Sequence, residues 1–258
     1  MNAPTTVTAA YNDAHQLVVD GNIQAAPSTT DLFIPIPETT LPDGTIVPTF
    51  HVSQYVCTQG ADGKAAVTAE GAPWVRINFE EAKAACIAAG YALLTERQWL
   101  AIAVNAAAQA CNWNGGAVGK GRLAQGLRQD TVSGPQPGDY LPDDPDEQRF
   151  LTLSNGELIC DLNGNVYQWI FDDVQGDERG IVARAFSPAS SSITSAPFAS
   201  LTKGMGWQPS PDADWSGLAL IRGGFWVSGS VAGAFSLGGD WPDRRGDLVG
   251  FRCTQPGL

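Results

Sequence analysis

Histidine is nearly missing from this chain: of 258 residues, only His15 and His51 carry an imidazole. A three-histidine metal centre cannot be assembled from two, and neither residue stands in a Ser-His-Asp or Cys-His context. Cysteine is sparse as well. Cys57, Cys86, Cys111, Cys160 and Cys253 are scattered without one CxxC pair, so the closely spaced ligands of a structural zinc site are lacking. Buried free thiols are the expected state, with a single disulfide left open. No apolar run approaches the roughly 18 residues that a membrane span needs, so no membrane insertion is expected. The opening "MNAPTTVTAAYNDAH" lacks the basic start and apolar stretch of a secretory signal. The expectation is a cytoplasmic protein, or one that leaves the cell by another route, such as inside a phage particle. Cations are few, 15 Lys and Arg against 27 acids for a net charge of -12, which leaves no basic field for nucleic acid or anionic lipid. "NWNGGAVGKGR" has the glycine and lysine content of a phosphate loop. It lacks GxxxxGK[ST] and follows a helix pattern instead of a strand, so nucleotide binding is not expected.

What the chain does contain is apolar mass and turns. It is 43% hydrophobic with eight tryptophans, enough for a sizeable core, while Gly and Pro (29 and 17 residues) point to many loops. The first 50 residues hold five acids and no Lys or Arg. "NDAHQLVVDGNIQAA" reads as a short helix or a strand pair. "STTDLFIPIPETTLPDGTIVPTF" reads as extended pieces broken by prolines, with a turn at Asp43-Gly44. Residues 1–45 are therefore expected to form an arm or outer layer packed on a domain spanning 46–258. "TFHVSQYVCTQG" alternates as a strand. Asn78 with Glu81, and Thr95 with Gln98, have capping-box spacing, which predicts two helices: one over "FEEAKAACIAA" that Gly90 ends, and one over "ERQWLAIAVNAAAQA". From Asn112 to Gln148 periodicity disappears, which suggests a long surface loop whose Asp143–Glu147 run is a solvated acidic turn. Asn155-Gly156 and Asn163-Gly164 are hairpin signals in the strand-like stretch that follows, and short strands close the chain. Strands, two adjacent helices, long loops and then short strands make an α+β order, with helices too clustered for a doubly wound sheet.

Several phrases in this order match a known family. "GYALLTERQWLAIA" resembles the "RLPTEAEWE" segment of the formylglycine-generating-enzyme (sulfatase-modifying factor) family. "LICDLNGNVYQW" resembles its "GLYDMSGNVWEW", and "IRGGFWVS…VGFRC" resembles its "RGGSW…GFR". With "TFHVSQYVCTQG" and "APWVRINFEEAKAAC", the resemblance spans roughly 45–253. It implies a C-type lectin fold in which two helices pack on short antiparallel strands with long loops. The closing block is similar to that of the variable proteins of diversity-generating retroelements, which bind ligands through a diversified C-terminal segment. Arg222, Gly223, Gly224, Trp226, Ala232, Gly233, Phe235, Pro242, Gly250, Phe251 and Arg252 carry that likeness, within a variable-type segment 222–253.

The catalytic members of the family use two cysteines after this phrase to bind copper and activate oxygen. The resemblance puts those positions at Ser228 and Gly233, neither of which supplies a thiolate, so no catalytic residue, metal or cofactor is expected. Some relatives hold calcium near "GNVWEW", partly through its glutamate. Gln168 stands there in this chain, with Asn163 and Asn165 as remaining oxygen donors. Within the closing block Trp226, Phe235 and Phe251 are expected as core anchors, and Arg222 and Arg252 as cations locked by a buried carboxylate or carbonyls. The residues between them, Phe225, Val227, Ser228, Val231, Leu237, Gly239, Asp240, Trp241, Arg244, Arg245 and Asp247, are expected to face solvent as a ligand-binding surface. Aromatic and arginine side chains are the types enriched in binding hot spots. The partner implied is a protein or cell-surface ligand, with the chain as a monomer or a phage-associated trimer. A phage tail receptor-binding protein is the neighbouring alternative, and a formylglycine-type oxidase the more distant one.

Overall fold

In the computed structural model, residues 32–194, 198 and 200–255 are described, together with backbone strands Ala9–Tyr11, Leu17–Val19 and Asn22–Ile23. Both capping boxes form. Asn78 Oδ1 accepts from Glu81 N, Glu81 Oε2 accepts from Asn78 N, and helix α1 runs Phe79–Ala88 with Gly90 beyond it at φ +85. Thr95 and Gln98 repeat the arrangement at the start of α2, Glu96–Ala107. Trp99, Ile102, Ala103 and Ala106 of α2 are fully buried, and its small residues let the surrounding strands come close.

Two four-stranded sheets hold these helices. In the first, Ala92–Leu93, Cys253–Gln255, Phe50–Ser53 and Phe33–Ile36 lie side by side in that order, every neighbouring pair antiparallel. Ile34, Ile36 and Leu41 enter the same core as α2, so the expected arm is integral to the domain from Phe33 onward. The second sheet has the order Gly233–Asp240, Ala219–Gly223, Tyr167–Ile170, Val249–Phe251. Its last pair is parallel, because the chain crosses from one edge of the sheet to the other between Asp240 and Val249. α1 covers this sheet: Phe79 meets Trp169 edge-on at 6.0 Å, within a cluster that includes Ile221, Phe251 and Cys253.

Asn155-Gly156 turns the hairpin Phe150–Thr152/Leu158–Cys160 as expected, with Gly156 at φ +85. Asn163-Gly164 does not make a hairpin. The Asn163 side chain bonds Gly126 N and Ala124 O, and Asn165 N bonds Leu127 O, so the turn ties down the preceding loop instead of returning to a partner strand. That loop is correspondingly less superficial than its composition suggests. Leu123, Gln125, Leu127 and Arg149 at its end are buried. Glu147, expected in a solvated turn, is buried too: its carboxylate accepts from Arg128 N, Gln129 N and Thr131 Oγ1.

Two buried arginines join the layers. Arg222 is 0% exposed and forks onto Glu96 at the N-terminus of α2, its Nε 3.0 Å from Oε2, while its Nη atoms donate to Phe235 O and Ser192 O. Arg252 donates to Gln168 Oε1, Ser53 O and Cys160 O, which ties the second sheet to the first and to the hairpin. Replacing Glu96 with Gln leaves the Arg222 charge buried without its counter-ion. Loss of about 3–5 kcal/mol is expected in urea unfolding of Glu96→Gln.

Beside this pair lies Asp172, whose Oδ1 accepts from Val174 N and Gln175 N while Oδ2 is buried without a partner. Burial, reinforced by the Glu96 charge, pushes its carboxyl up to about 6 from 3.8. The folded protein thus holds this proton more tightly than the unfolded chain does. Its contribution is full below pH 3.8 and is lost as pH rises through about 6, a change of at most about 3 kcal/mol. Asp172→Asn should flatten that slope in urea titrations taken between pH 4 and 7; an unchanged slope would assign it to other groups.

Candidate functional site

The closing block alternates between two environments. Arg222, Gly223, Gly224, Ala232, Phe235, Phe251 and Arg252 are buried. Gly223 and Gly224 adopt φ +100 and +104, a region other residues enter only with strain, and a Cβ on Gly224 would lie 2.7 Å from Ala232. Most of the residues between these anchors reach solvent. Among those expected at the surface, Leu237 is the exception and a correction. It is 0% exposed and belongs to the α2 core, because the strand Gly233–Asp240 turns that side chain inward. Trp226, expected in the core, is half-buried, its ring edge-on to Phe225 at 5.4 Å.

The exposed residues form two groups at opposite ends of the second sheet. Phe225, Val227, Ser228 and Val231 follow the strand Ala219–Gly223, in a turn where Ser228 N donates to Phe225 O and Phe225 N to Ser228 Oγ. The Phe225 ring packs on Tyr167 at 5.6 Å, and Trp226 O and Gly229 N bond the backbone of Asp130 and Arg128. Gly239, Asp240, Trp241 and Arg244 lie at the other end, where Gly239 pairs with Leu220 and Asp240 with Ala219. Trp241 is 64% exposed, the highest value among the tryptophans.

The crossover from Trp241 to Leu248 connects the groups as a ribbon. Its Pro242 O accepts from Phe79 N, its Gly246 O from Arg76 N and its Leu248 O from Tyr167 N, so main-chain bonds fix its path. Its charges pair on the surface: Arg244 with Asp240, Arg245 with Glu81, and Asp247 with Arg76. All three arginines are more than half exposed, so each pair contributes little stability and its guanidinium can be redirected to a ligand at small cost. Beside the ribbon opens a groove of about 450 Å³ between Trp74, Arg76, Glu81, Ala84, Ala88 and Arg245. Sequence reasoning missed Trp74, Arg76, Glu81 and Tyr167 because they precede the closing block. The capping role of Glu81 was legible, but its second role as partner of Arg245 was not.

The tryptophans upstream divide their tasks. Trp215 packs edge-on against Phe186 at the core, and Trp207, 44% exposed, stacks on it at 6.2 Å. Trp207 N bonds Val231 O, which ties its backbone to the first exposed group.

The copper chemistry of the family's catalytic members does not fit this site. Ser228 Oγ is engaged by Phe225 N. Gly233 lies against the Met205-Gly206 peptide, where any Cβ would overlap backbone, so a cysteine there has no room. Cys57 and Cys86 adjoin Cys253 in the cluster under α1, and burial pushes both thiols up. The amides considered for calcium are also engaged. Gln168 Oε1 takes Arg252, Asn163 Oδ1 takes Gly126 N, and Asn165 Oδ1 takes Gln136 N. No group of three or more metal-ligating side chains occurs among the described residues.

Residues 49–256 match the family model described as the sulfatase-modifying factor enzyme 1-like domain. Among solved structures, PvdO from Pseudomonas aeruginosa is 16% identical, covering 98% of this chain and 99% of that one at a TM-score of 0.44. Variable protein 1 of Treponema denticola is 13% identical, with 98% and 100% covered at 0.45. The U1 variant of the Major Tropism Determinant is 11% identical, with 98% and 82% covered at 0.36. Comparison with curated protein sequences finds no match. Gly233→Ala is expected to destabilise the fold by about 2 kcal/mol or more through overpacking against Met205-Gly206, read as a lowered urea midpoint; a neutral result would mean that this backbone yields easily.

Proposed function

The chain belongs to the sulfatase-modifying factor enzyme 1-like domain family, and on that scaffold we propose that it acts as a non-catalytic ligand-binding protein of the diversity-generating-retroelement variable type. One observation carries the reading. Nine of the eleven residues shared with the variable-protein pattern are buried, Trp226 and Pro242 being half-buried, whereas ten of the eleven residues expected between them reach the surface, Leu237 alone being enclosed. The surface they form suits recognition. Trp241 and Phe225 bring large aromatic area with few rotors, and Arg244 and Arg245 bring planar donors balanced by weak surface partners. Asp240 and Asp247 pre-orient the arginines Arg244 and Arg76 until a ligand competes for them. The target class is a protein or cell-surface ligand, met by the ribbon and the groove beside it. The positions corresponding to the copper ligands serve turn formation at Ser228 and close packing at Gly233, which is why we assign no oxidase activity.

Two measurements test this. Sequencing the DNA around the coding stretch for Arg222–Cys253 should reveal a near-copy differing at adenine positions, and its absence would remove the diversification from the reading. Replacing Trp241, Arg244 and Arg245 together with Ala should leave the melting temperature almost unchanged, each substitution costing within about 0.5 kcal/mol. A fall like that of a core variant would place these residues in the fold instead of on a binding surface.

A further inference from the structure

Away from the ribbon, on the loop that follows α2, two arginines line one small cavity. Arg128 is only 6% exposed, yet its guanidinium forms no ion pair among the described residues and its Nε is buried with no hydrogen-bond partner. A buried N–H left without an acceptor is costly, so Nε calls for one. Arg122 stands close enough that its charge, after burial itself, is what most depresses the Arg128 guanidinium below its ordinary value. The two flank a cavity of about 70 Å³, which Gln125, Gln148, Asn114 and Asp146 also line. That is room for a few waters or one small oxyanion.

The charges of Glu147, Asp146 and Asp144 partly offset that of Arg128, but none of the three forms an ion pair with its guanidinium. The Glu147 carboxylate is occupied by Arg128 N, Gln129 N and the Thr131 hydroxyl, and Asp144 by the Gln129 side chain and Asp146 N. Arg122 is oriented by its Nη2 bond to Gln125 Oε1 at 2.6 Å. Gln125 in turn is held by donating from Nε2 to Ala232 O. Arg122 is therefore fixed before any ligand arrives, which lowers the ordering cost of binding.

We propose that this pocket binds a carboxylate group, with the Arg122 and Arg128 guanidiniums as the paired donors. A planar monoanion matches the guanidinium fork. Asp146 in the lining and the nearby charges of Asp144 and Glu147 oppose a dianion more strongly than a monoanion, which favours carboxylate over phosphate. The source is either a free small carboxylate or an acidic side chain of a bound protein. Arg128 O accepts from Gly229 N, so the pocket abuts the Phe225–Val231 turn. The assignment stands whether or not that turn binds a target.

Thermal unfolding of the full chain at neutral pH, in sodium acetate against sodium chloride at equal ionic strength, tests the pocket. A saturable, acetate-specific rise in melting temperature is expected. Arg122→Gln, at a half-buried position, should weaken the apparent acetate affinity about tenfold or more while the protein stays folded. Arg128→Gln should abolish the acetate effect, but Arg122→Gln decides if that variant fails to fold. Equal stabilisation by acetate and chloride, or undiminished acetate binding by Arg122→Gln, overturns the proposal, as does tighter binding of inorganic phosphate. N-acetyl-aspartate N-methylamide separates the sources. Protection by it as well as by acetate supports a partner's side chain, and protection by acetate alone supports a free carboxylate.

Discussion

The fold turns on one buried ion pair. Arg222 and Glu96 are both withdrawn from water, and in meeting they fix the strand Ala219–Gly223 against the N-terminus of α2. The same guanidinium also satisfies Phe235 O on the neighbouring strand. A buried pair of this kind adds little net stability over a hydrophobic substitute, but the alternatives that leave either charge alone are heavily penalised. Its effect is to select one arrangement of helix, strand and neighbour. Arg252 repeats the logic with neutral acceptors, drawing Gln168, Ser53 and Cys160 toward the final strand. Between them the two arginines fasten both ends of the closing segment 222–252.

What could be read beforehand follows from the range of the interactions. Both helices were legible because their signals are local: a cap, a reciprocal residue three positions on, and a buried stripe. The turn at Asn155-Gly156 was legible for the same reason. Asn163-Gly164 carried the same dipeptide but different long-range partners, Gly126 and Leu127, which no spacing rule reveals. Glu147 misled in a similar way. A run of acids suggests solvent, yet three donors from residues 128–131 draw this one inside.

The closing block shows the same division. That Arg222 and Arg252 would be locked followed from the scarcity of cations, and the exposure of the residues between them was implied by the family resemblance. Leu237 was misplaced because its strand runs longer than the alternation of the block implies, and period two sends its side chain to the core. The separation into two groups was not visible at all, since it depends on which end of the sheet each strand begins. Arg76 and Glu81, which face the ribbon from before α1 and within it, share no motif with it and are known only from the contact.

The crossover between Trp241 and Leu248 is fastened by carbonyl oxygens of Pro242, Gly246 and Leu248, all received by amides outside the segment. A carbonyl is present whatever residue bears it. The moorings are therefore indifferent to spelling, and the side chains above them can be rewritten without renegotiating the shape of the loop. Such a segment separates heredity of form from novelty of contact: many sequences can inherit one backbone, each presenting a different face to the world.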